Sequence, residues 1–444
     1  MMIRHLKAIF AAALVAAVCA VLPAGIPTAR AQNLTLDIVN GVPSAIPITV
    51  VPFAFESAAA PPATDVSEVI RNDLARSGKF RTLGHQDIVE TPTRGSEIKF
   101  PTWKLLKQDY IVVGRERDTS GGKVRVAFEL WDVTTQQQLL SLAYTALPAD
   151  LRGVAHQIAD KIYQKIIGVP GAFYTRIAYV TAVGVGKGLQ YSLIVADSDG
   201  YNPQVVVHSL QPLLSPAWSP DGKKLAYVSF EHGDSAVYMQ DLATGARQLI
   251  SARKGINGAP SFSPDGTKLA MCLSYGGNPE IYVMDLATRQ LTQLTHSMSI
   301  NTEPRWMPDG QSIVFTSDRS GKPQLYQEPL TGGGATRITF QGEYNANVAI
   351  NYDASQFAMV QGSGNVYRIA VMDRKLGDQM RFLSPGPMDE SPSFAPNGSM
   401  LLYAASEGTR GVLYSVSDDG RIRQRLSLAN GDVQSPSWGP YRQH

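Results

Sequence analysis

The sequence predicts a small α/β domain, with a mixed sheet and two helices, followed by a six-bladed β-propeller that the C-terminal strand closes. A phrase of the form Pro-x-aromatic-x-Pro-Asp-Gly recurs with a constant spacing of 44 residues. Its copies begin, with some blurring at the fourth, at Pro216, Pro260, Pro304, Val348, Pro392 and Pro436. A period of about 40–45 residues is typical of propellers with one four-stranded blade per repeat.

Each repeat is interpreted as four antiparallel strands, A to D. Strand A carries the Pro-x-aromatic phrase, and Asp-Gly then supplies the positive dihedral angles that a tight hairpin needs. Ile177-Ala-Tyr-Val resembles strand B of the next repeat, at Leu225-Ala-Tyr-Val, but no strand A precedes it. The missing strand is Pro436-Ser-Trp438 at the other end of the chain. Pairing it with residues 177–180 closes a ring of six blades without an open sheet edge.

Residues 32–168 lack the repeat, so we assign them to the N-terminal α/β domain and residues 169–444 to the propeller. A helix is predicted from Thr64 or Asp65 through Arg76, and another starts at Asp150, both with apolar residues at helical spacing. Strands are predicted, from alternating or continuous apolar runs, at 34–39, 46–53, 110–114, 124–130 and 139–142.

Residues 1–31 match a secretory signal peptide, because Arg4 and Lys7 precede an apolar run and Ala29-Arg30-Ala31 fits the cleavage rule. Three of the 40 basic residues and none of the 38 acidic residues lie in this segment, which leaves a mature net charge of −1. That balance argues against nucleic acid as a partner. We expect no membrane span, no intramolecular disulfide and a monomer.

Catalytic and metal-binding patterns are absent from the sequence. The histidines have no metal-ligand spacing, no Gly-x-Ser-x-Gly phrase occurs, and no segment is left over for a hydrolase domain. We therefore expect no enzyme activity, no metal and no cofactor. Two alternatives stay open: an exported hydrolase or lyase acting on a glycan or peptide, which would need perturbed carboxylates in the channel, and a module that holds a small ligand or ion there.

Polar residues recur directly before strand A. Asn257, Asn301, Asn345 and Asp389 are 44 residues apart, each three residues before the Pro-x-aromatic phrase. Because strands alternate in direction, these D-to-A loops share one end of the propeller with the B-to-C loops. Two interpretations are open: Asn and Asp simply terminate turns, or a rigid scaffold displays them for binding.

The sequence resembles the TolB family of the Tol-Pal envelope system over the whole mature chain. The resemblance lies in Val50-Val-Pro-Phe, Gly168 to Phe173, Leu214 to Gly222, Asn257-Gly-Ala-Pro, Asn301-Thr-Glu-Pro and the closing Pro-Ser-Trp. It implies a non-catalytic periplasmic scaffold that binds the lipoprotein Pal at the propeller mouth and TolA through its N-terminal segment. The family role is outer-membrane integrity and outer-membrane invagination during cell division, and bacteriocin translocation segments are further partners.

The resemblance also implies site residues. Pal contacts fall at Asn257, Gly258, Ala259, Asn301, Thr302, Glu303, Asn345, Asp389 and Glu390. The TolA segment comprises Asn33, Leu34, Thr35, Leu36, Asp37, Ile38, Val39 and Asn40. Ile256 departs from the pattern, because some relatives have His there.

Overall fold

The computed structural model describes residues 36–38, 45–58, 60–426, 428 and 431–442. The predicted signal peptide lies outside these residues, as do Asn33, Leu34, Thr35, Val39 and Asn40 of the predicted TolA segment.

The N-terminal domain is a mixed sheet with helices on both faces. In spatial order its strands are Phe80–Thr82, Ile46–Val50, Tyr110–Thr119, Lys123–Asp132 and Gln138–Ala146, and Ala54–Phe55 also pairs with the central strand. The second strand in this order runs parallel to both neighbours, whereas the last three form an antiparallel meander. The α-helices are α1 (Val66–Arg76), α2 (Phe100–Leu105) and α3 (Leu151–Ile167).

Local sequence signals set the ends of the two long helices, α1 and α3. The Asp65 side chain accepts the Glu68 N–H at 3.0 Å and so caps α1. Gly168 ends α3 with φ of 92°, a left-handed conformation that favours glycine. Both predicted helices are therefore present, and α2 is a third, short helix that the sequence did not predict.

The propeller has six four-stranded blades. Blade 1 contains Asp432–Tyr441, Thr175–Val183, Gln190–Asp197 and Gln204–Ser209, from the innermost strand outwards. Blade 2 contains Leu213–Trp218, Lys224–Ser229, Ala236–Asp241 and Arg247–Ser251; blade 3 contains Asn257–Phe262, Lys268–Leu273, Glu280–Asp285 and Leu291–Gln293. Blade 4 contains Asn301–Trp306, Ser312–Ser317, Gln324–Pro329 and Thr336–Arg337; blade 5 contains Tyr344–Ile350, Gln356–Ser363, Val366–Asp373 and Gln379–Phe382. Blade 6 contains Glu390–Phe394, Met400–Glu407, Arg410–Ser417 and Ile422–Arg425.

The C-terminal strand closes the ring as the sequence predicts. It pairs antiparallel with Thr175–Val183, and Trp438 lies opposite Ile177. The indole of Trp438 is buried and donates to Thr175 Oγ1 at 2.8 Å. The innermost strands of all six blades touch their neighbours in a closed circle. The fold class, an α/β domain before a six-bladed propeller, is confirmed.

The two domains share one hydrophobic core. Buried side chains of α1 and α3 pack in the same cluster as Phe173, which directly precedes blade 1, Ile177 of blade 1 and Leu402 of blade 6. Polar contacts reinforce the junction, since Arg76 donates to both the carbonyl and the hydroxyl of Ser198. The α/β domain is therefore fixed over the seam at which the ring closes.

Residues Leu36–Ile38 pair with the propeller, not with the α/β sheet that follows them in the chain. They run antiparallel to Ile422–Arg425, with Leu36 opposite Gln424 and Ile38 opposite Ile422. This short strand therefore forms a fifth, outermost strand on blade 6.

Candidate functional site: the mouth of the propeller

The mouth is the end of the propeller formed by the D-to-A and B-to-C loops. Every innermost strand has a β-bulge there, visible as a break in its register with the second strand. Each bulge holds a non-glycine residue at φ between 47° and 55°. These six left-handed residues are Ser215, Ala259, Glu303, Asn347, Ser391 and Ser435.

Each bulge residue carries a backbone cost, because its φ is positive although it has a Cβ. A left-handed conformation costs a residue with a Cβ roughly 1–2 kcal/mol, and glycine would avoid most of it. None of the six positions is glycine. Strained residues of this kind often cluster at binding sites, and a bulge re-aims the side chain that it carries. The bulges were not predicted from the sequence; the signal for them was the position directly before the repeated proline.

The repeated Asn and Asp residues lie beneath the mouth surface. The side chains of Asn257, Asn301 and Asn345 are fully buried, and Asp389 is 3% exposed. Each binds the loop that precedes it. Asn257 accepts the Arg253 N–H at 2.9 Å and donates to the carbonyl of the same residue. The structure therefore matches the interpretation that these residues terminate turns, and it gives their side chains no surface for a partner to contact.

Asn301 shows how firmly these loops are held. Its amide nitrogen donates to Glu280 Oε2 at 2.7 Å and to Ser297 Oγ at 2.8 Å, and its oxygen accepts from Arg319 Nη2 at 3.0 Å. Glu280 is itself buried and also accepts the Ser297 N–H at 2.6 Å. A satisfied buried network of this kind specifies one loop conformation.

The remaining predicted Pal residues are accessible. Gly258, Ala259, Thr302 and Glu303 are half-buried on the bulges of blades 3 and 4, and Glu390 is exposed on blade 6. The structure thus brings these five residues to the surface of one mouth.

Glu303 joins two neighbouring blades. Its Oε2 accepts the Thr316 hydroxyl at 2.8 Å and the Asn347 N–H at 2.8 Å. Asn347 is the bulge residue of the next blade. Glu303 therefore holds a fixed position, with the opposite oxygen free of any hydrogen bond within the described residues.

Two carboxylates, Glu303 and Glu390, interact within the mouth, and we call this pair its acidic centre. Glu390 is accessible to solvent, but desolvation by the surrounding protein of the mouth still raises the pKa of its carboxyl group, and the charge of Glu303 raises it further. Burial also lowers the pKa of Arg305, although the charge of Glu303 opposes this effect. A cation on a bound partner would relieve the repulsion between Glu303 and Glu390.

Apolar side chains surround this acidic centre. Five of the D-to-A loops each expose one large apolar residue: Leu210, Ile256, Met298, Phe340 and Met388. Met298 is 97% exposed and Phe340 is 74% exposed. Aromatic and Met side chains are enriched at protein–protein interfaces, so the exposed Phe340, Met298 and Met388 are residue types that a protein-binding surface uses.

The described residues show no metal-binding cluster. Among them, no three His, Cys, Asp or Glu side chains are grouped closely enough to hold an ion. Cys272 lies behind the mouth, where burial raises its pKa to about 12, so its thiol stays protonated at neutral pH.

Comparison with known proteins decides the family. A family model described as the TolB beta propeller domain matches residues 163–442, and the TolB amino-terminal domain model matches residues 34–139. The Tol-Pal system protein TolB of Xanthomonas campestris pv. campestris (strain B100) is 67% identical over 415 residues, 93% of this chain and 94% of the relative. The chain belongs to the TolB family. The crystal structure of TolB from Acinetobacter baumannii covers 92% of this chain and 100% of that chain, with 40% identity and a TM-score of 0.83.

Membership of the TolB family makes this chain a component of the Tol-Pal system. None of the helices in the described ranges is both long and apolar enough to cross a membrane.

Proposed function

We propose that this chain is a non-catalytic periplasmic scaffold that binds Pal at the mouth and TolA through its N-terminal segment. In this role it maintains outer-membrane integrity and supports outer-membrane invagination during cell division. The observation that carries the proposal is the mouth itself, an acidic centre at Glu303 and Glu390 within a rim of exposed apolar side chains. The TolB family names support the choice of partners.

The geometry suggests how the Pal contacts divide. Gly258, Ala259, Thr302, Glu303 and Glu390 are accessible and would touch Pal directly. The buried set, Asn257, Asn301, Asn345 and Asp389, would act by holding the loops in place.

Affinity for Pal tests this division. Replacing both Thr302 and Glu303 with Ala removes a half-buried hydroxyl and the fixed carboxylate, and we expect Pal binding to weaken at least roughly 30-fold, as for two interface residues worth about 1 kcal/mol or more each. The matched control is the pair Thr267→Ala and Gln311→Ala, which lies at the opposite end of the propeller. Calorimetry with purified Pal measures both. Unchanged affinity for Pal in the Thr302 and Glu303 variant would contradict the assignment of the Pal site to the mouth.

The N-terminal segment is tested separately. A mature chain lacking residues 32–40 should lose TolA binding and retain Pal binding. Because Leu36–Ile38 pairs with the outer edge of blade 6, hydrogen exchange at Ile422–Arg425 reports whether this strand leaves the blade when TolA binds. Retained TolA affinity in the shortened chain would contradict the proposal.

A second candidate, a glycan or peptide hydrolase or lyase, gains support from one observation. Glu390, whose pKa is raised, and Glu303 form a pair of carboxylates in distinct environments. General acid–base chemistry requires such a pair. Turnover of peptidoglycan fragments by the mature protein, abolished by Glu390→Gln, would establish this candidate in place of a pure scaffold.

A further inference from the structure

A cavity lies at the end of the propeller opposite the mouth. It has a volume of about 240 Å³ and lies between the A-to-B turn of blade 2 and the last residues of the closing strand. Its charged lining residues are Arg176, Lys223, Arg442 and Asp221, so cations outnumber anions three to one. The cavity plays no part in the proposed function.

We propose that this cavity binds a small anion that carries a carboxylate or phosphate group. Arg176 comes from the second strand of blade 1, Arg442 from the end of the closing strand and Lys223 from blade 2. The bound anion would therefore join three segments at the point where the ring closes.

Arg176 provides the fixed part of the site. Its guanidinium lies over the ring of Trp218, 5.0 Å from the centroid, and Nη2 donates to the Gly222 carbonyl at 2.7 Å. Within the described residues this is its single hydrogen bond, so further N–H groups of the planar fork remain for a ligand. A guanidinium held in one orientation is suited to bidentate binding of carboxylate or phosphate.

The two arginines also repel each other. Burial lowers the pKa of Arg176, the charge of Arg442 lowers it further, and Asp197 opposes both effects. Asp197 forms an ion pair with Arg442 and so compensates one of the two cations. In addition, Arg442 Nε is a buried donor without an acceptor among the described residues. An added anion would relieve this repulsion.

Asp221, the one acidic residue in the cavity lining, is already held by hydrogen bonds within its own turn. Asp221 Oδ1 accepts the Ser219 hydroxyl at 2.5 Å and the Lys223 N–H at 3.0 Å, which is the usual role of Asp in such a turn. The exposed ammonium of Lys223 makes no hydrogen bond within the described residues. Lys223 is therefore available to a ligand, and replacing it leaves the contacts of the fold intact.

The test is titration of the mature protein with inorganic phosphate and, separately, with succinate. Calorimetry gives the affinity, and thermal unfolding at constant ionic strength, set with sodium chloride, gives the stabilisation that a bridging ligand must produce. We expect saturable binding and a higher melting temperature. Lys223→Gln should weaken binding about 5-fold, and Arg176→Lys, which keeps the charge but loses the fork, about 10-fold.

Lys268→Gln is the matched control, because Lys268 follows the corresponding turn of blade 3 and lies outside the cavity. It should bind both anions as the parent does. Binding of phosphate alone or of succinate alone would confirm the site and identify its chemistry. The proposal is overturned if neither anion binds saturably, if Lys268→Gln weakens binding as much as Lys223→Gln, or if sodium chloride alone reproduces the stabilisation.

Discussion

Removing residues 433–444 should unfold blade 1 and destabilise the whole protein. The deletion exposes the edge of Thr175–Val183, with which the closing strand pairs. It also removes Val433 and Trp438, which are 5% and 6% exposed and belong to the core that both domains share. Loss of a buried Trp costs about 3–5 kcal/mol, and loss of a buried Val adds about 1.5–3 kcal/mol.

The sum, about 4.5–8 kcal/mol, is comparable to the total stability of a typical domain, roughly 5–15 kcal/mol. The broken hydrogen-bond ladder adds to this loss, as does the contact in which Trp218 Nε1 donates to the Ser437 carbonyl at 3.1 Å. We therefore expect the melting temperature to fall by at least roughly 5–10 °C, since about 1 kcal/mol corresponds to roughly 1.2 °C in a cooperative unit of about 400 residues.

Two point variants separate burial from closure. Trp306 holds the same position in blade 4, is 7% exposed and donates to the Ser261 carbonyl at 3.0 Å. Trp306→Ala and Trp438→Ala should each cost about 3–5 kcal/mol. Trp438→Ala alone should increase hydrogen exchange in residues 177–180. The reasoning is refuted if the shortened chain has the same melting temperature as the parent, or if both variants leave hydrogen exchange in blade 1 unchanged.

Two further predictions concern buried ionisable groups in the α/β domain. Glu116 is 6% exposed, and burial raises its pKa from 4.5 to about 7 with a contribution from Asp65, so the folded state loses stability as the pH rises through that range. Glu116→Gln should therefore raise the free energy of unfolding by up to about 3 kcal/mol at pH 8 and leave it unchanged at pH 4, as measured by urea titration; equal effects at both pH values would contradict this. Burial lowers the pKa of His156, but Asp73 and Asp199 outweigh it and raise the pKa, so His156 stabilises the fold below pH 6.5 and this contribution is lost as the pH rises through the raised value. His156→Leu should cost about 3–5 kcal/mol at pH 6 and less at pH 9, and a cost independent of pH would refute the assignment.

Local and periodic signals in the sequence predicted most of the fold. The 44-residue repeat gives the blade count, because each copy of the phrase marks one innermost strand. The repeat unit left incomplete at residues 177–180 shows where the closing strand must pair. Helix α1 was predictable from Asp65 at its start, and α3 from Asp150 and the apolar residues at helical spacing that follow it. These are properties of short windows or of a regular spacing, which a single sequence displays directly.

Contacts between distant segments were not predictable in this way. Helix α2 has six residues, too few to show a helical period. The strand Leu36–Ile38 shows the alternation of apolar and polar residues that is typical of a strand. Its residues do not indicate, however, that it pairs with the outer edge of blade 6. His156 was an isolated histidine in the sequence, whereas the fold places it between Asp73 and Asp199 at the domain junction.

The mouth shows the same limit and explains how its residues divide. Asn257 and Asn301 repeat at the spacing of the blades because the D-to-A loops that lead into blades 3 to 6 use the same internal support, whereas Leu213 and Val433 stand at the equivalent positions of blades 2 and 1. The regularity of the buried amides therefore reflects construction. Glu303 stands where Ala259 stands in the preceding blade, and its charge is specific to one position in the ring. A partner that distinguishes one side of a six-fold ring must contact residues that differ between blades. Under the proposed function, recognition of a partner at this mouth would therefore depend on the bulge residues and the apolar rim, with the buried amides holding both in place.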